Sequence, residues 1–231
     1  VYLLQKPQYR ILHDYIDNYW CLLLEHDAHS HFHERIFADG KADIIFNFGV
    51  SYQRGSSETE AKPQVIRSTH LDAQRAYPLM ISQVGAIHLI GVRFQLGALQ
   101  AFLDHKPLSE LTGEIVHLDD IFGKQGRILE DQLYNLKQDF NAQVNLLDDF
   151  FLNCLQPKKP KITVDILSTK LVSQPIYQIS KELGYSERTL HRLVTRQTGF
   201  SPSLLARLLR FQKALLLLRY IGISRLSMWL L

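Results

Sequence analysis

The chain has 231 residues, 46% hydrophobic and 21% charged, with two cysteines and a net charge of +3. These values exclude a collagen-like or wholly disordered chain, a disulfide framework and a zinc ribbon. The length allows one large domain or two modest ones, and the cysteine usage predicts a reducing, cytoplasmic setting.

The average charge hides a split. Residues 157–231 carry 13 Lys and Arg against Asp165, Glu182 and Glu187, a net +10, while residues 1–156 carry 13 against 20 acids, a net −7. A basic end on an acidic body suits an end that meets a polyanion, or simply a solvated basic face. No secretory pattern is read at Val1, and Arg219 and Arg225 interrupt the longest apolar stretch, which argues against a membrane span.

In chain order, His29, His31 and His33 alternate. On a strand they would share one face, which makes them weak metal candidates; the plainer reading is a solvent-facing edge. His33-Glu34 opens a zincin pattern, but Phe37 stands where the second His would be. Asp39-Gly40 is a hairpin-turn dipeptide, followed by a strand over 42–48. Residues 51–62 read as a polar, mobile loop, and 86–94 as a second strand. From about Leu96 the pattern turns helical, with apolar residues at three- and four-residue spacing over 125–136 and 142–155. Phe32, Phe37, Phe46, Phe48 and Phe94 are candidates to line a ligand pocket, or plain core. Cys21 and Cys154 sit in apolar stretches and read as core.

Two prolines and three lysines in 157–161 mark a linker. The predicted organisation is therefore a mixed domain over 1–156, the linker, and an all-helical domain over 162–231, giving an α+β chain. In the second domain the expected helices are 162–173, 176–183, 186–198 and 202 to about 218, the last started by Ser201 as N-cap and Pro202 at the first helical position.

Residues 176–195 fit a helix-turn-helix. Gly184 suits the tight turn, Ser180 is small where two helices must approach, and Ile179, Leu183, Tyr185, Leu190 and Leu193 fall on the inward positions. Ser186, Glu187, Arg188, His191, Arg192 and Thr195 face outward, as base-reading side chains must. Arg196, Arg207, Arg210 and Lys213 are placed to neutralise phosphates. The alternative is an ordinary helical hairpin with a polar surface. No nucleophile elbow, Walker A loop or dinucleotide fingerprint is present.

The runs Ile179-Ser180-Lys181-Glu182-Leu183-Gly184-Tyr185-Ser186-Glu187-Arg188-Thr189-Leu190-His191-Arg192, Thr198-Gly199-Phe200-Ser201-Pro202 and Ala206-Arg207-Leu208-Leu209-Arg210-Phe211-Gln212-Lys213-Ala214 resemble the first helix-turn-helix and linker helix of AraC/XylS-type transcriptional regulators. Phe37-Ala38-Asp39-Gly40 with Asp43-Ile44-Ile45-Phe46, then Ile90-Gly91-Val92-Arg93-Phe94-Gln95 and Leu108-Ser109-Glu110-Leu111-Thr112, resemble the sensor domain of one branch of that family. Ala38 and Leu96 stand where that branch usually has proline. The family carries two helix-turn-helix units, and residues 222–231 offer at most the start of a second. A truncation is therefore expected, with weak DNA binding by one unit and poor solubility from Leu215, Leu216, Leu217 and Leu218.

The resemblance implies a non-enzymatic, sequence-specific DNA-binding regulator, with a strand-rich, cupin-like sensor domain and no cofactor. Double-stranded DNA and a small-molecule effector are its implied partners; homodimerisation is left open. Two alternatives stay in view: a sensor or interaction protein that no longer binds DNA, and a metal-dependent cupin-type enzyme using His29, His31 and His33.

Overall fold

The computed structural model describes residues 1–25, 31–55, 62–103, 107–156 and 164–220, with backbone alone for 164–167 and Arg219. The chain is α+β, strand-rich first and helical afterwards. Strands β1 (Tyr2–Gln5), β2 (Ile16–Leu24), β3 (His31–Ile36), β4 (Asp43–Asn47), β5 (Tyr52–Gly55), β6 (Gln64–Ile66), β7 (His70–Asp72), β8 (Leu79–Val84), β9 (Ile87–Phe94) and β10 (Ile115–His117) precede all the α-helices. These are α1 (Leu118–Phe122), α2 (Lys124–Asn135), α3 (Phe140–Cys154), α4 (Val164–Ser173), α5 (Ile176–Glu182), α6 (Glu187–Thr198) and α7 (Pro202–Tyr220).

The strands form a six-stranded sheet, β1-β2-β9-β4-β7-β10, and a four-stranded sheet, β3-β8-β5-β6, and the pairings are antiparallel. The larger sheet is buried on both faces, so its central strands are almost continuously apolar. Ile44, Phe46, Ile90, Val92 and Phe94 point to the helices, where Leu129, Leu133, Phe140, Val144, Leu147 and Phe151 cover them. Trp20, Leu22, Ile45, Ile87 and Leu89 point the other way and meet Tyr52, Ile66 and Ile81 of the smaller sheet. The outer face of that sheet is solvated, and β8 accordingly alternates buried Leu79 and Ile81 with exposed Met80 and Val84.

One end of the sandwich is held by polar groups. The Tyr52 hydroxyl donates to His70 Nε2 at 3.0 Å, while His70 Nδ1 donates to the Ser68 carbonyl. This fixes a neutral tautomer, and burial holds the His70 pKa below its ordinary value. Buried Arg54 and Arg75 both bond the Asp72 carboxylate, at 2.6 and 2.9 Å. Beside Asp72 in register lies Asp43, which accepts from the Trp20 indole and from Arg93 at 3.1 Å; Arg93 also pairs with Asp39.

Several expectations are corrected. Residues 52–55, read as loop, form β5, because Tyr52 and Arg54 face the interior while Gln53 faces solvent. Asp39-Gly40 does turn the chain, but it joins β3 of one sheet to β4 of the other and closes no hairpin. After Leu96 the chain makes two short 3-10 turns, Ala98–Phe102 and Leu108–Glu110, and returns to the larger sheet as β10 before the α-helices begin. The five phenylalanines are spread over separate packing clusters: Phe46 and Phe94 fill the sheet–helix core with Phe48 at its margin, Phe32 packs between the sheets, and Phe37 meets Phe211. Cys21 is buried in that core and Cys154 packs against it. The linker 157–161 and residues 221–231, on which the truncation was read, lie outside the described residues.

The C-terminal helices share a third core of Leu171, Ile179, Leu190, Val194, Phe200, Leu205, Ala206 and Leu208. Ala38, and less deeply Ala76 and Leu96, enter it from the sandwich, so the two parts of the chain are packed together. Among the described residues no helix is long and apolar enough to cross a membrane.

Candidate nucleic-acid interface

Local chemistry shapes the α5–α6 pair. Pro175 precedes the first turn of α5, where a missing N–H costs no helical bond. At the other end Gly184 takes φ +71°, a left-handed conformation that a side chain would resist, and the Tyr185 N–H bonds back to the Ser180 carbonyl at 2.9 Å. Ser180 is buried and small where the helices meet, and its hydroxyl donates to the Tyr177 carbonyl. The Ser186 hydroxyl caps α6 by accepting from the Thr189 N–H at 3.2 Å, and Glu187 in the first turn complements the helix dipole. Gly199, φ +78°, ends α6.

These constraints fix which face of α6 is free. Ile179 and Leu190 are fully buried and Leu183, Tyr185 and Leu193 are half-buried, as their spacing predicts. Ser186, Glu187, Arg188, His191, Arg192 and Arg196 are exposed on α6, and Arg207, Arg210 and Lys213 on α7. Thr195 departs from the expectation: it is half-buried, and its hydroxyl is buried without a hydrogen-bond partner. Glu187, Arg188, Thr189, His191 and Arg192 form one wall of an open groove of ≈ 690 Å³, with Ile176, Pro202 and Ser203 opposite. A second groove of ≈ 380 Å³ shares Ile176, Pro202 and Ser203 and continues to Arg210.

Arg188 and Arg192 of α6 and Arg210 of α7 thus line one trough made of the two adjoining grooves. No carboxylate among the described residues forms an ion pair with Arg188, Arg192, Arg196, Arg207, Arg210 or Lys213. Glu187 is the one acid among the α6 residues that line it. Such a surface attracts a polyanion and presents guanidinium forks able to bond it bidentately.

His31 and His33 do lie on one face of a strand, exposed at the edge of the smaller sheet, with parallel rings 6.2 Å apart. His29 lies outside the described residues, and among those described no group of three or more His, Cys, Asp or Glu comes together. The Tyr52, His70, Arg54, Asp72 and Arg75 cluster was not anticipated. Its one local signal is the alternation Tyr52-Gln53-Arg54, which polarity disguises as loop.

Residues 7–117 match the family described as a domain of unknown function, DUF6597. No curated protein matches. Among solved structures, an apo form of ToxT from Vibrio cholerae is similar at 12% identity and TM-score 0.45, over 87% of this chain and 82% of that one. Unsaturated fatty acid-bound ToxT from Vibrio cholerae is similar at 10% identity and TM-score 0.45, over 87% and 81%. The AraC-like transcriptional activator CuxR is similar at 12% identity and TM-score 0.32, over 99% and 90%.

Proposed function

We propose that this protein is an AraC-type transcription regulator that binds double-stranded DNA through α6 and α7, and that the sandwich with its covering helices, residues 1–156, is a sensor for a small-molecule effector. The carrying observation is the exposed Arg188, His191 and Arg192 stripe on a groove wall, with Arg210 on the adjoining groove, Arg207 and Lys213 also exposed on α7, and no described acid paired to these cations. α5 and α6 act as a helix-turn-helix, with residues 162–231 as the DNA-binding part. Arg188 and Arg192 offer bidentate donors to guanine, and His191 a single contact to a base edge or phosphate. Glu187 accepts from cytosine or from its own helix start. Arg196, Arg207, Arg210 and Lys213 bond phosphates and set the register without reading sequence.

The test begins with selection of duplexes from a random library, followed by affinity measurement at several salt concentrations. Engagement of about four phosphates predicts a log–log salt slope of roughly −3 to −4. Arg192→Ala should cost ~1–3 kcal/mol on the selected duplex and relax preference at one position. Lys213→Ala should weaken every duplex about equally and flatten the slope by about 1. Salt-independent retention, or no effect of either change, would overturn this assignment.

A further inference from the structure

The smaller sheet has two edges, and they are unlike. β6 is three residues long and follows Lys62 and Pro63, residue types that blunt an edge. β3 is six residues long, carries neither Lys nor Pro, and on its free side pairs with no strand among the described residues. Its register with β8 sets His31 opposite Val84, His33 opposite Ser82 and Arg35 opposite Met80. His31, His33 and Arg35 are exposed, and Met80 and Val84 beside them leave 37% and 43% of their surface in solvent. Phe32 and Ile36 turn the other way, into the core between the sheets, and Glu34 alternates with them. The outer face of β3 and β8 therefore presents two imidazoles and no carboxylate.

These two imidazoles have the spacing of a chelate. Residues i and i+2 of a strand stand on one face, and the His31 and His33 rings are parallel with centroids 6.2 Å apart. Two imidazoles on one tetrahedral zinc ion, each bound at about 2 Å, have centroids about 5 Å apart, so rotation about the side-chain bonds closes the difference. A pair of imidazoles fills only half of a tetrahedral shell. No third His, Cys, Asp or Glu joins them among the described residues, so one copy of the chain holds half a site.

We propose that His31 and His33 from two copies of this chain complete a four-imidazole site for a zinc ion where their β3 edges meet. Antiparallel strands laid edge to edge about Phe32 set His31 of each copy opposite His33 of the other, and directly opposed residues share a face. Arg35 then falls outside the block of four rings. A register centred on His33 would set Arg35 opposite His31 and put a guanidinium beside the cation, so the first register is the one that metal selects. Ser82, opposite His33 within its own copy, offers a hydroxyl acceptor to the ring nitrogen that does not bind metal. The site faces away from the interior of the sandwich and is independent of the DNA reading above.

Sedimentation velocity of the full chain, in EDTA and then with zinc added stepwise, reads the association, and metal analysis of the dimer fraction reads its stoichiometry. Zinc should convert monomer to a dimer holding one zinc per two chains, and EDTA should reverse the change. His31→Gln and His33→Gln each remove two of the four ligands from the dimer. Either should raise the zinc needed for half-conversion at least about tenfold, the loss that even an outer-sphere partner brings. Both side chains are exposed, so neither change removes core packing. His117→Gln, exposed on β10 of the other sheet, should leave the titration unchanged. Zinc held by a chain that stays monomeric, or no effect of zinc on mass, overturns the shared site. So does a dimer that forms equally in EDTA, that holds one zinc per chain, or that persists at the same zinc level in either variant.

Discussion

Asp72→Asn tests whether the polar end of the sandwich carries stability. The Asp72 carboxylate accepts from Arg54 at 2.6 Å and from Arg75 at 2.9 Å, with side chains only 7–9% exposed. Asparagine keeps the shape, loses the charge and offers one acceptor oxygen to two guanidinium groups. Both arginine Nε atoms are already buried without a partner, so losing the carboxylate leaves further buried donors unsatisfied, with Asp43 already engaged by Trp20 and Arg93. A hydrogen bond to a charged group contributes ~1.5–3 kcal/mol, and breaking a buried ion pair from one side costs ~3–5 kcal/mol. The expected loss is therefore about 3–5 kcal/mol in urea unfolding, followed by tryptophan fluorescence because Trp20 sits in the same inter-sheet core. Changing Arg54→Met and Arg75→Leu as well removes the stranded cations and should restore most of that loss. A single-variant loss below about 1 kcal/mol, or a triple variant no better than the single, would refute the reasoning.

Other outcomes follow from the same contacts. Gly91→Ala places a methyl group inside the Trp20 ring, so it should destabilise by at least ~1–3 kcal/mol, and pairing it with Trp20→Leu should recover part of the loss in a thermal melt. Ser186→Ala removes the cap at the start of α6 and should cost ~1 kcal/mol, seen as faster amide exchange in its first turn; unchanged exchange there would count against the cap. His70 is held neutral, with its folded-state pKa below the ordinary 6.5, so the unfolded chain takes up its proton more readily. Its contribution is full above 6.5 and is lost as pH falls toward the depressed folded-state value. His70→Gln should therefore show a flatter urea midpoint than the parent between about pH 7 and 5, and parallel curves would show that another group governs the slope.

The helices were legible because their signals are local. Gly184, Ser186 and Pro202 mark boundaries within one or two residues of those observed, and three- and four-residue apolar spacing places α2, α3 and α6. Strands β4 and β9 were legible for a related reason: both faces are buried, so the runs are apolar throughout. The short strands were not, since β6, β7 and β10 have three residues each and are strands only because distant partners pair with them. Asp39-Gly40 shows the same limit. Its turn conformation is encoded locally, but whether the chain then returns along β3 or crosses to the other sheet depends on where Ile44 and Phe46 are buried.

By itself, then, the sequence determined the exposed basic face of α6, because charge, caps and a glycine turn act over a few residues. Tertiary structure alone decided that Thr112 bonds the Gly199 carbonyl, that Arg54 and Arg75 share Asp72, and that Phe200 shares a core with Ala38. Each of these joins residues from separate segments of the chain, and burial selects them only once both surfaces exist.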